Sequence, residues 1–211
     1  MELQAANIST RARVTTAFRI QFSVLLLLCG WTLAAFSSPP VSEHNAWATA
    51  ADALGWTSFA CGALFRFWSI CHIAGRKSQM VVDYGPYALC RNPLYVGTFL
   101  IVASETLFLK SAWFALSLVT LVGFYQLIVV PGEEQRLLSR FGAAFHGYAS
   151  RVPRWIPRFD PRCLAAVEVR DRAAVLSEIQ CLIWWMVVPI LGYLTCYARA
   201  LPWWPHYVPG F

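Results

Sequence analysis

The chain has 211 residues, of which 58% are hydrophobic and only 13% charged, with a positive mean hydropathy and a formal net charge of +6. A water-soluble domain carries about 25% charged residues, so this composition argues against a soluble fold, and the length allows one domain or two. The basic residues lie between long apolar runs rather than in one patch, which excludes the continuous basic face that nucleic acid requires and fits the positive-inside bias of membrane loops.

Five stretches are long enough, or nearly so, to cross a bilayer of about 30 Å. The first covers about residues 18–36 and contains Leu25 to Leu28; Arg11 and Arg13 precede it, Arg19 stands at its start, and the polar turn Ser37, Ser38, Pro39, Pro40 ends it. A basic segment followed by an apolar one is also the pattern of a secretory signal. Here the run is long, no small-residue cleavage site follows, and four further apolar runs come after it, so it reads as a retained helix. The second span covers 54–73 and is closed by Gly75, Arg76 and Lys77. The third, 94–109, opens directly from Asn92 and Pro93, and proline in a first turn gives up only a donor that would be unpaired anyway. The fourth, 111–130, ends at Pro131 and Gly132. Only Lys110 separates the third from the fourth, which predicts a tight antiparallel hairpin. The fifth covers 179–197 and precedes the aromatic residues Trp203, Trp204 and Tyr207.

The predicted fold class is therefore all-α, a single polytopic membrane domain over residues 1–211 with about five transmembrane helices. Five spans put the termini on opposite sides. Arg11, Arg13, Arg19, Arg76, Lys77 and Arg91 flank one side, together with eight arginines from Arg136 to Arg172. The opposite side holds Lys110 and Arg199, with Glu43 and Asp52. This asymmetry predicts a cytoplasmic N-terminus and places the polar segments 75–97 and 132–157 in the cytoplasm. The seven cysteines show no CxxC spacing and five lie in apolar runs, where they read as small buried hydrophobes. The four histidines have no ligand spacing with one another or with cysteine, so no metal site is predicted.

Two polar segments carry chemistry. The first reads GRKSQMVVDYGPYALCRNPLYVG over 75–97, with Arg91 at the point where the chain enters the membrane between Tyr87 and Tyr95. Taken alone it is also compatible with an interfacial loop, Arg on lipid phosphate and Tyr in the aromatic belt. The second reads GEEQRLLSRFGAAFHGYASRVPRWIP over 132–157. Glu133 and Glu134 follow an apolar helix directly, and carboxylates at that depth need partners. Arg136 and Arg140 stand at helical spacing to supply them on a solvated face. Inside the second span, Arg66 either snorkels to the headgroups or faces inward toward an anionic group. Glu105, in the third span, sits nearer the opposite face.

The pattern GPYxxxRNPLYxG, an apolar hairpin, then EExxLxxxFGxxFxxYxxxVPRxIP resembles the isoprenylcysteine carboxyl methyltransferase-like family, a group related to the phospholipid N-methyltransferases. The resemblance runs from about Gly62 to Pro157 and includes Arg66, Phe67 and Trp68. It departs at Asn92, where many members have His, and at Phe145, where many have Tyr. It implies a cofactor pocket for S-adenosylmethionine, capped by the cytoplasmic segment and open sideways to lipid, lined by Tyr87, Arg91, Asn92, Pro93, Leu94, Tyr95, Glu133 and Glu134. Carboxylates suit the amino group and ribose hydroxyls of that cofactor, aromatic faces suit its sulfonium, and Arg91 suits its carboxylate. Asn92 cannot titrate near neutrality, so it positions rather than relays protons. Arg66 and Glu134 are the candidate catalytic residues. A carboxylate acceptor is already ionised and needs no base; an amine acceptor needs one, and Glu134 is the first candidate.

Two other readings use the same residues. A sterol-reductase-type enzyme shares a related helical core but binds the anionic NADPH, which Arg76, Lys77 and Arg91 favour and Glu133 and Glu134 oppose. A non-catalytic membrane scaffold would show degraded motifs, and only Asn92 and Phe145 deviate. The expected partners are the lipid bilayer and a hydrophobic or lipidated substrate; prenylcysteine, a lipid amine, or another lipophilic acid or thiol all suit a laterally open pocket.

Overall fold

The computed structural model describes residues 2–38, 46–76, 79–167 and 169–210, with side chains from residue 17 onward. Pro39, Pro40, Glu43 and Lys77, and the side chains of Arg11 and Arg13, lie outside the described residues. What is described is helical: α1 (Glu2–Ala35), α2 (Ala46–Ile73), a short α3 (Pro86–Leu89), α4 (Pro93–Leu109), α5 (Ala112–Phe124), α6 (Val130–Phe141), α7 (Ala143–Arg151), α8 (Arg172–Trp185) and α9 (Val187–Arg199). Three helical stretches are long and apolar enough to cross a membrane: Ala17–Ala35, Ala112–Phe141 and Arg172–Arg199. The other two expected spans each fall short on one count. α4 is apolar but has 17 residues, about 25 Å. α2 has 28 residues, but alanine, glycine, Asp52 and Arg66 dilute its hydropathy.

Those small residues have a packing role. α2 and α4 cross at Gly62 and Gly97. A methyl group on Gly62 would stand 2.7 Å from the Gly97 carbonyl oxygen, and one on Gly97 would stand 2.8 Å from the Gly62 oxygen. Small residues on both faces let two backbones touch, which is how helices associate in lipid, where apolar burial gives no driving force. At the far end of the pair, the Lys110 ammonium meets the Asp52 carboxylate at 2.5 Å. Lys110 is left-handed (φ 47°) and closes α4 so that α5 begins at once, giving the expected hairpin.

The fourth expected span does not end at Val130. α5 runs through a π-helical turn, Tyr125–Val129, into α6, forming one 30-residue stretch to Phe141. The cause is Pro131, which has no N–H and whose ring would press on the Leu127 carbonyl. Widening the turn, so that Val130 N–H reaches the Tyr125 carbonyl, absorbs the proline without breaking the helix. The fifth expected span also differs. It starts earlier, at Arg172, where Asp171 accepts a hydrogen bond from Ala174 N–H as an N-cap, and it is interrupted at Met186. Pro189 leaves the Trp185 carbonyl without its usual donor.

Arg199 is not a loop charge. Its guanidinium is buried and donates to the carbonyl oxygens of Leu109 (2.7 Å), Ser37 (3.1 Å) and Ser38 (3.0 Å) and to the Ser37 hydroxyl (2.9 Å). It thus gathers the C-terminal ends of α1 and α4, where unpaired carbonyls and the helix dipole both favour a cation. Trp204 and Tyr207 close over the same end against Phe36.

Gly62→Val should destabilise the protein by about 1–3 kcal/mol, as overpacking does, and lower its thermal midpoint in detergent. Gly123→Ala, whose methyl group meets nothing within 4 Å, should leave the midpoint in place; equal midpoints for the two variants would contradict backbone contact at the crossing.

Candidate functional site

The site lies at the end of α4 where the chain enters the bundle. Gly85 has φ +60° and packs directly against the His72 ring; a side chain there would collide with the imidazole, so glycine is required both for the turn and for the contact. Pro86 opens α3, and the loop Cys90 to Asn92 leads into Pro93 at the start of α4. The segment after α7 lies against this loop, bound by three backbone hydrogen bonds of 2.9 Å: Arg91 N–H to the Pro153 oxygen, Arg158 N–H to the Leu89 oxygen, and Gly85 N–H to the Arg162 oxygen. Asn92 adds a side-chain bond from Nδ2 to the Arg154 carbonyl, 3.1 Å. Tyr148 donates its hydroxyl to the Tyr87 carbonyl at 2.9 Å.

Burial dominates the titration of this floor. It pushes the Tyr87 and Tyr148 hydroxyls well up from the ordinary tyrosine range, and the Cys90 thiol up to about 11. All three stay protonated at neutral pH and act as packing and hydrogen-bonding groups.

The two carboxylates meet partners from four different elements. Glu134 is held by Arg91 at 3.1 Å and by Arg154 at 2.5 Å. Glu133 is held by Arg19 of α1 at 2.5 Å and accepts the Tyr95 hydroxyl at 2.8 Å on both oxygens. The local pairs anticipated with Arg136 and Arg140 do not form: Arg136 donates to its own helix at the Gly132 carbonyl, and Arg140 lies over the Phe141 ring. Adjacent residues on a helix point about 100° apart, which predicts one carboxylate toward a pocket and one toward water. Instead α6 sits in a corner between α1 and the 85–92 loop, so both directions meet protein.

Arg66 turns inward rather than toward the headgroups. It donates through Nε and Nη2 to the two oxygens of Glu178 on α8 at 2.8 and 3.1 Å, and through Nη1 to the Thr98 hydroxyl at 2.5 Å and the Leu94 carbonyl at 3.5 Å, with the Trp185 ring 5.7 Å away. Glu105 is not its partner. That carboxyl is fully buried against Gly192 of α9, and neither oxygen has a hydrogen-bond partner among the described residues.

The structure therefore brings Arg91, Asn92, Pro93, Leu94, Tyr95, Glu133 and Glu134 to one end of the bundle, with Tyr87 in its floor and Arg66 beside Leu94. Sequence reasoning did not assign Arg154, Arg19, Glu178, Tyr125, Gln126 or Trp155. Tyr125 and Gln126 lie on the π-turn, where Tyr125 packs edge-on against Tyr95 and Phe99, and Gln126 accepts the Trp155 indole N–H. Glu178 carried a signal of its own, an acid within an apolar run. Among the described residues, no three His, Cys, Asp or Glu side chains converge to hold a metal ion.

The phospholipid methyltransferase family model matches residues 51–144, from α2 through the first residues of α7, which includes the 85–92 loop and both carboxylates. The chain is 28% identical over 176 residues to the nickel-cobalt-cadmium resistance protein NccN of Alcaligenes xylosoxydans xylosoxydans, covering 80% of this chain and 81% of that one. It is 32% identical over 105 residues to the cobalt-zinc-cadmium resistance protein CzcN of Cupriavidus metallidurans, covering 50% of this chain and 48% of that one. No solved structure matches significantly.

The Arg66–Glu178 pair yields a direct test. Arg66→Met alone strands the Glu178 carboxylate and should destabilise the protein by about 3–5 kcal/mol, whereas Arg66→Met with Glu178→Leu should recover most of that loss. Thermal unfolding of the single and double variants measures both; a double variant as unstable as the single one would show that Glu178 is not the partner.

Proposed function

We propose that this protein is an integral membrane methyltransferase of the isoprenylcysteine carboxyl methyltransferase-like group. It uses S-adenosylmethionine to methylate a lipophilic or membrane-proximal acceptor, with a prenylcysteine-like carboxylate among the candidates. The observation that carries this reading is the convergence of Arg91, Tyr95, Glu133 and Glu134, drawn from two separate segments, within the stretch similar to phospholipid methyltransferases. We take all five long helices to span the bilayer, with the N-terminus and both polar segments in the cytoplasm, on the asymmetry of Lys and Arg.

The residues present fit the cofactor. Arg91 Nε is buried without a hydrogen-bond partner among the described residues, so the guanidinium retains a donor after binding Glu134. Three guanidiniums (Arg19, Arg91, Arg154) face two carboxylates, which leaves one positive charge for the single carboxylate of the cofactor. Arg91 would hold that carboxylate, Glu133 and Glu134 the amino group or ribose hydroxyls, and the Tyr95 ring the cationic centre. When bound, the cofactor supplies an electrophilic methyl group on a sulfonium sulfur.

This chain contributes alignment and exclusion of water. The Asn92 side chain, the backbone bond from Arg91 N–H to Pro153 and the one from Arg158 N–H to Leu89 fasten the 153–158 segment across the loop. Arg66, bound to Glu178, Thr98 and Leu94, would hold α2, α4 and α8 together beside the entrance an acceptor would use from lipid, its charge already met by Glu178. Glu134 is tied to both Arg91 and Arg154, and protonating it as a base would weaken both ion pairs. That favours an acceptor already ionised over an amine.

Calorimetry on the detergent-solubilised protein should show micromolar binding of S-adenosylmethionine, the usual range for enzyme substrates, and none of NADPH. Arg91→Ala and Glu134→Gln should each weaken it by about 1.5–3 kcal/mol, roughly tenfold to a hundredfold. Tight NADPH binding without S-adenosylmethionine binding would overturn this reading in favour of the reductase.

The names of the two relatives add a setting, resistance to cobalt and cadmium together with nickel or zinc. We extend that setting to this chain, with methyl transfer as the contributing step. Cells carrying Arg91→Ala should then tolerate cobalt and cadmium no better than cells lacking the protein; wild-type tolerance in that variant would separate resistance from the proposed site.

A further inference from the structure

The segment that closes the site also carries apolar side chains that nothing covers. Ile156, Phe159 and Leu164 are 81%, 74% and 77% exposed, although they belong to no membrane-crossing helix. Single exposed apolar residues are ordinary, but a run of them in a polar connecting segment marks a contact surface.

The depth of this segment in the membrane follows from its contacts. Its backbone pairs with Leu89 and Arg91, just before α4 enters the bundle at Pro93. Trp155 reaches further, packing its ring 5.5 Å from that of Phe99, about 9 Å along α4 from Pro93 at 1.5 Å per residue. Ile156 is the next residue in the chain. Irregular backbone cannot face the hydrocarbon core, so the segment lies at the level of the headgroups, apolar side chains down. Arg158 and Arg172 are exposed there and have no ionic partner among the described residues, whereas Arg154 is bound to Glu134 and Arg162 to Asp160 and Asp83. The end of α2 marks the same level, because Gly75 packs against Arg170 and Asp171.

We propose that residues 153–167, with Arg172 at the start of α8, form an interfacial anchor that takes the phosphate headgroups of anionic phospholipids on Arg158 and Arg172, with Ile156, Phe159 and Leu164 in the acyl boundary. The partner is the surrounding leaflet rather than the methyl acceptor. Since the same segment supplies Arg154 to Glu134 and a carbonyl to Asn92, lipid bound there holds the site closed. That consequence, unlike the anchor itself, rests on the cofactor reading above.

Hydrogen exchange of residues 153–164 in nanodiscs tests the anchor without any cofactor. Exchange should be about fivefold slower with phosphatidylglycerol in the disc than with phosphatidylcholine alone, the worth of about one arginine near an anionic surface. Arg158→Gln should lose most of that protection, and inorganic phosphate added to phosphatidylcholine discs should not restore it. Equal exchange in both lipids, protection by phosphate alone, or protection unchanged in Arg158→Gln would each overturn the proposal. S-adenosylmethionine affinity in the same two discs is read separately: slowed exchange with no cofactor binding in either disc leaves the anchor standing and removes the methyltransferase reading.

Discussion

The backbone contact between α2 and α4 at Gly62 and Gly97 is the constraint from which the rest of the site follows. Arg66 stands one turn from Gly62, and Pro93 stands one turn from Gly97. Bringing the two glycines together therefore sets the guanidinium beside the Leu94 carbonyl and the Thr98 hydroxyl. Once α4 is fixed there, Asn92 and Arg91 leave its end in a set direction, and the carboxylates of α6 and the segment after α7 close around them. A wider crossing would keep every helix but separate the groups.

Three of the guanidiniums near and within the bundle follow one rule, taking acceptors from elements distant in sequence. Arg19 reaches α6, Arg66 reaches α8, and Arg199 reaches the ends of α1 and α4. Such pairs add little net stability compared with well-packed apolar groups, but breaking one leaves an uncompensated charge. Their effect is thus to specify which helices are neighbours. Helices in lipid are otherwise free to exchange partners of similar apolarity, so this supplies a selectivity that apolar contacts lack. Glu105 departs from the rule, buried without a hydrogen-bond partner among the described residues.

The helices were legible because apolar runs and their punctuation are local. Asn92–Pro93 opens α4 and Lys110 closes it as read. Two boundaries were misread for different reasons. Pro131 looks like a stop, but a helix already packed along its length can absorb a proline by widening a turn. The last apolar run reads as a span that starts at 179 and passes straight through Pro189, whereas the Asp171 cap starts it at Arg172 and it is interrupted at Met186. The site was legible in membership and not in pairing. Helical spacing offered Glu133 and Glu134 the nearby Arg136 and Arg140, yet solvent-facing pairs of that kind are worth under about 1 kcal/mol and yield to partners supplied by the fold. Arg19 and Glu178 were out of reach of spacing arguments, being 114 and 112 residues from the groups they bind. Tyr125 and Gln126 lie on the π-turn, whose register an α-helical periodicity does not encode.

The buried guanidinium of Arg199 bears on how the chain is made. It gathers the ends of the first and fourth of these helices, yet it lies on the last of them in chain order. During synthesis α1 and α4 are made while the carbonyls of Ser37, Ser38 and Leu109 still lack this donor. The bundle therefore stays open at that end until translation has delivered α9. A chain that stopped before Arg199 would keep α1 and α4 but leave the carbonyls of Ser37, Ser38 and Leu109 without this donor.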